Sequence, residues 1–203
     1  LNSVQMEDIT MNEQGKSSEI RELIITNTIK LIKESDGLIG NITIRKIAEN
    51  SNVAVGLINY HFKSKNKLIE ICIERIISKV MKDFPNLDDS KVYHTVNSDI
   101  TSFTINVFKF LVNNPEIAKI SMLSDFTSPH INSNSSVSYR AIYKGLDSEK
   151  DTYRRKVKAF IFLATIQLAF LNRNITKDLL STNLTKESDY QTFFKTVNSI
   201  LNI

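Results

Sequence analysis

Glycine and proline are scarce in this chain, at 5 and 3 of 203 residues. Sheet-rich folds need many turns, so this scarcity points to long helices. A single cysteine, Cys72, excludes an internal disulfide framework and suits a reducing cytoplasm. No apolar run reaches the roughly 18–20 residues that span a bilayer, so no membrane partner is expected. Residues 1–16 lack a basic region followed by an apolar stretch, and no secretory leader is expected. The histidines, His61, His94 and His130, lie far apart without ligand-type spacing, which argues against a metal site. Paired acid/base groups and a nucleophile beside its base are likewise missing at any recognisable spacing, so neither an enzyme nor a cofactor is expected.

What is present suits a folded helical protein. Hydrophobic residues make up 41% and charged residues 24%, a composition that is neither disordered nor membrane-spanning. The net charge of +4 is unevenly spread. Residues 1–15 carry Glu7, Asp8 and Glu13 and no base. Residues 16–82 carry 12 Lys/Arg against 7 Asp/Glu, and residues 83–203 carry 14 against 12. The positive charge is thus concentrated in one third of the chain, where it would attract a phosphate backbone.

In that third, Ile20, Leu23, Ile24, Asn27 and Leu31 follow the repeat of a helix face. Ser17 or Ser18 is the expected cap, and Asp36-Gly37 the stop. Thr43 is a good N-cap for a short second helix bearing Ile44, Ile47 and Ala48. Asn52 tolerates a left-handed backbone and suits a tight turn. A third helix follows with Leu57, Ile58 and Phe62 apolar, and Ser64 can cap a fourth running toward Phe84. The opposite side of the third helix presents Val55, Gly56, Asn59 and Tyr60. Two short helices held by a tight turn, the second facing outward, are the logic of a helix-turn-helix that enters the major groove. Asn59 suits an adenine edge or a phosphate, Val55 a thymine methyl, and Gly56 a close backbone approach. Lys63, Lys65 and Lys67 follow, and Lys65 with the free amides of the fourth helix suits a phosphate.

Thr43, Ile47, Ala48, Val53, Gly56, Tyr60, His61, Phe62, Lys63, Ser64, Lys65 and Leu68 together resemble the TetR family of bacterial transcriptional regulators. The resemblance spans residues 20–70. It implies an all-helical protein with an N-terminal three-helix DNA-binding domain, followed by a larger helical domain for effector binding and dimerisation. On it, Thr43, His61 and Lys65 look like phosphate contacts and Val55–His61 like the recognition helix. The family usually has Ser where Ala54 stands, and losing that cap costs about 1 kcal/mol. Asn52 replaces the usual turn glycine, and Asn59 a frequent tyrosine. The expected division is a flexible tail over 1–16, the DNA-binding domain over 17–63, and the effector and dimerisation domain over 64–203.

Beyond the motif, helices are expected near 90–112, 115–124, 137–146, 150–173 and 187–202, with a polar loop over 127–136. Residues 157–171 are apolar nearly all round, and such a helix must bury every side. One face would meet the core. The other, together with Tyr190, Phe193, Phe194, Val197, Ile200 and Leu201 of the last helix, would meet a second copy. Phe103, Phe126, Phe162 and Ile166 either line an apolar cavity for a small-molecule effector or form plain core. Cys72 in an apolar helix reads as packing. The expected function is a ligand-responsive repressor that binds a palindromic double-stranded operator as a homodimer. The alternative is a helical small-molecule-binding protein without specific DNA binding.

Overall fold

The computed structural model describes residues 3–83 and 100–203. Among the described residues the chain is all-helical, with ten α-helices and no strand. They are α1 (Ser3–Lys33), α2 (Ile44–Ser51), α3 (Val55–Phe62), α4 (Lys65–Asp83), α5 (Ile100–Asn113), α6 (Pro115–Thr127), α7 (Asn134–Gly145), α8 (Thr152–Leu171), α9 (Thr176–Leu180) and α10 (Glu187–Leu201). The chain divides into two compact units, Leu1–Lys79 and Val80–Ile203.

In the first unit α1 buries Ile24, Ile25, Thr28, Leu31 and Ile32, while Leu23 stays largely exposed. The core-facing stripe is therefore turned slightly from the expected one. The helix also starts at Ser3 rather than at Ser17 or Ser18, so the backbone expected as a loose tail is helical. That stretch holds no proline, and its one glycine, Gly15, crowds nothing. Gly37 ends the helix region at a φ of 76°, a left-handed turn that glycine takes without penalty.

The first unit reaches past residue 63 because α4 packs on α1. Leu68, Ile69 and Cys72 are buried, and the Cys72 thiol lies 3.7 Å from the Ile25 carbonyl oxygen. Arg75 grips the Glu22 carboxylate with both guanidinium nitrogens, one bond measuring 3.0 Å. That pairing holds the Glu22 carboxyl below its ordinary range. Burial pushes the Cys72 thiol up to about 12. The folded protein therefore keeps a proton that the unfolded chain releases near pH 9, and stability falls as pH rises from about 9 toward 12. Cys72→Ala should show a shallower loss over that window, and Ellman's reagent at pH 8 should label Cys72 only after denaturation.

The second unit buries one core. Phe108, Phe162, Phe170, Tyr190 and Phe194 fill it, with Phe108 4.9 Å from Phe194 and 5.2 Å from Tyr190 between ring centroids. Local chemistry sets the helix ends. Ser133 accepts from the Ser136 amide, so α7 begins three residues before the expected start. Asp151 caps α8 through the Arg154 amide, and Pro115 stands at the start of α6. The end of the fourth helix expected near Phe84 and the first part of the helix expected near 90–112 lie outside the described residues.

Candidate nucleic-acid interface

The reading unit is built from local signals. Thr43 has extended backbone, and its hydroxyl accepts from the Lys46 amide at 3.1 Å, opening α2. Ile47 and Ala48 are buried against the unit's core. Asn52 then takes φ 51°, ψ 46°, donating to Glu49 while the Val53 amide donates to Ala48 at 3.0 Å. This paired closure is the Schellman motif, with asparagine in the left-handed place where glycine is commonest. It reverses the chain in two residues and sets α3 across α2.

Within α3 the inward side is Ile58 and Phe62, both buried. The Arg21 guanidinium of α1 lies 5.3 Å above the Phe62 ring and closes that contact from outside. Outward stand Val55, Gly56, Asn59 and Tyr60, all exposed, with Tyr60 at 77%. A ring left this bare on a folded surface is unusual for packing and suits contact with a partner. Val55, Gly56, Asn59 and Tyr60 thus share one exposed side of α3. Gly56 is open as well: an added Cβ would meet no protein atom within 4 Å. The fold therefore does not require glycine here. Gly56→Ala should raise stability by about 0.5–1 kcal/mol through helix propensity, yet weaken DNA binding because its methyl fills the approach. A melting curve and a gel shift on the same sample read the two opposite signs, and unchanged DNA affinity would contradict the close approach.

Ala54 opens α3 with extended backbone and no side-chain cap. Ala54→Ser should add about 1 kcal/mol of stability, seen as a higher melting temperature of the first unit. At the other end Lys63 sits at φ 66°, and its amide donates to Asn59 O at 2.9 Å. Ser64 caps α4 through the Lys67 amide at 3.2 Å.

The phosphate candidates flank this face. The Thr43 hydroxyl accepts a bond in the cap, which leaves its own O–H to donate outward. The Lys65 ammonium donates to the Ile39 carbonyl oxygen at 3.1 Å, fixing its place with two further N–H groups to offer. Lys67 pairs with Glu70 at 2.9 Å, so its charge is shared along the helix. His61 is half-buried, edge-on to Tyr60 with ring centroids 5.1 Å apart. The tether of Lys65 to the turn before α2, and the Arg21–Phe62 contact, were not legible in the sequence. Both join residues far apart in the chain through side chains that point according to tertiary packing.

The proposed effector residues do not form one group. Phe162 and Ile166 are buried in the core of the second unit, and Phe103 is buried too. Phe126 is 53% exposed. It sits in the last turn of α6, beyond the buried Ile117, Ala118, Ile120, Ser121 and Met122. Among the described residues no three His, Cys, Asp or Glu side chains are arranged to hold a metal ion, and no helix is long and apolar enough to cross a membrane.

A helix-turn-helix with an open reading helix and flanking cations defines a DNA-binding protein. Residues 39–72, from the turn before α2 into α4, match the family described as bacterial regulatory proteins, tetR family. That match supports a DNA-binding transcription regulator whose N-terminal helix-turn-helix is similar to that of the family. No curated protein and no solved structure matches the chain.

Proposed function

We propose that the protein is a homodimeric repressor that binds a palindromic operator and is released by a small-molecule effector. The observation that carries the dimer is the outer side of α8. Tyr153, Val157, Phe160, Ile161 and Leu168 are exposed there, Phe160 at 67% and Leu168 at 65%. They recur at helical spacing as a continuous apolar stripe, while Ala159, Phe162, Ile166 and Phe170 fill the core from the other side. An apolar stripe of this kind on a helix calls for a partner. A second copy supplies an identical stripe, and the resulting two-fold axis matches a palindromic operator.

The last helix has a smaller part in this pairing than its sequence suggests. Tyr190 and Phe194 of α10 are spent in the core of their own protomer, and Phe193, Val197 and Leu201 are partly covered by it. Ile200 is the apolar α10 residue left exposed. In this proposal α8 carries the interface and α10 contributes Ile200.

The effector is partly apolar and enters the second unit, where Phe103, Phe162 and Ile166 are its candidate walls, with Phe126 at the outside. It binds more tightly to a conformer whose two reading heads no longer fit the half-site spacing, since only differential affinity shifts such an equilibrium. The chain passes from one unit to the other within α4, which makes this helix the mechanical link. The protein would act in the cytoplasm, where its operator is.

Gel shifts with genomic fragments test the reading, and light scattering tests the dimer. Specific retention of some fragments, relieved by a ligand, and a mass twice the 23.2 kDa of one chain are the expected results. Binding no better than to random DNA at physiological salt, with or without candidate ligands, would sink the proposal.

A further inference from the structure

We infer that α3 reads A·T base pairs, so the core of each half-site opposite Val55, Gly56, Asn59 and Tyr60 is A·T rather than G·C. The inference rests on the DNA-binding reading and names the class of sequence recognised.

Each base pair shows the major groove its own pattern of donors, acceptors and methyl groups. Guanine is read best by Arg or Lys, bidentate to O6 and N7, and cytosine by Asp or Glu accepting from N4. None of these four residue types occurs in Val55–Phe62. Ile58 and Phe62 are buried and unable to reach a base. The outward face offers one amide, Asn59, the Tyr60 ring with its hydroxyl, and otherwise apolar or bare surface.

The Asn59 amide, the Val55 side chain and the Tyr60 ring favour the same pair. The Asn59 amide can donate to N7 and accept from N6 of adenine. The Val55 isopropyl group and the Tyr60 ring meet the 5-methyl of thymine, which only A·T pairs carry. Gly56 leaves open space beside them, so the backbone can come against that methyl. The nearest cations stand on flanking elements. Arg45 and Lys46 are exposed on α2, and Lys63 and Lys65 lie at and beyond the C-terminal end of α3. The N-terminal residues of a recognition helix are the ones that contact base edges, and those of α3 carry no charge.

Selection of binding sites from a library of randomised duplexes tests this, using full-length wild type, Asn59→Ala and Asn59→Asp. Wild type is expected to enrich A·T through the half-site core. Asn59→Ala should lose preference at one adenine by about 5- to 150-fold, with an unchanged salt dependence because no phosphate contact is removed. Asn59→Asp should move preference at that same position toward cytosine. Asn59 is exposed, so melting curves of both variants should match wild type and exclude misfolding as the cause. A required G·C pair at the position that responds to Asn59, or identical selection by all three proteins, would overturn the inference while leaving DNA binding intact. No enrichment by wild type over random duplexes would overturn both the inference and the reading beneath it.

Discussion

With Phe160 and Leu168 both changed to glutamate, the protein should run as a folded monomer and lose about 10²–10⁴-fold in affinity for a two-half-site operator. The size of the loss follows from linkage. One head bound to its half-site holds the other at a high effective concentration, and separation of the protomers removes that gain without touching the reading face. Both side chains are largely exposed in the single chain, so the substitutions cost the protomer little. In the dimer they would set carboxylates against an apolar stripe, and burying an unpaired charge is expensive. Light scattering reads the mass, circular dichroism the helix content, and a gel shift with one or two half-sites the avidity. A variant that remains a dimer would contradict the role given to α8. A monomer that binds the full operator as tightly as wild type would contradict the role given to dimerisation.

Phe62→Ala should destabilise the first unit by about 3–5 kcal/mol, the usual cost of deleting a buried phenyl ring. Phe62 is almost fully buried, closes the inward side of α3, and carries the Arg21 guanidinium over its ring. Domain stabilities are about 5–15 kcal/mol, so this one change takes a large share of the total. The two compact units should then separate on heating, the first melting well before the second. Phe62→Leu keeps most of the volume and should cost much less. A single unshifted transition for Phe62→Ala would show that Phe62 does not hold α3 in place.

The reading unit was legible in the sequence because its signals are local. Thr43 and Ser64 cap, Asn52 turns, and Ile58 and Phe62 alternate with Asn59 and Tyr60 at helical spacing, so each residue acts on neighbours within a few positions. The second unit was less legible for the opposite reason. Periodicity finds an apolar face but does not say what covers it. The face of α10 was expected to meet a second copy, yet Tyr190 and Phe194 pack on Phe108 of the same protomer. The short helix α9 was not expected at all. It is five residues long, too short for a repeat to register, and its Thr176 hydroxyl is held by the Leu184 amide at 3.2 Å. Phe126 was grouped with Phe103, Phe162 and Ile166 by residue type, and residue type carries no information on where a helix leaves the core.

Affinity for a selected operator and for a random duplex, measured between 50 and 200 mM salt, tests the account of α3 most directly. The account predicts a steep fall of both affinities with salt, from the phosphate contacts around Thr43 and Lys65. It also predicts a preference for the operator of about 10³-fold or more, reduced in Gly56→Ala and in Asn59→Ala. Affinity indifferent to salt, or equal for the two duplexes, would contradict it.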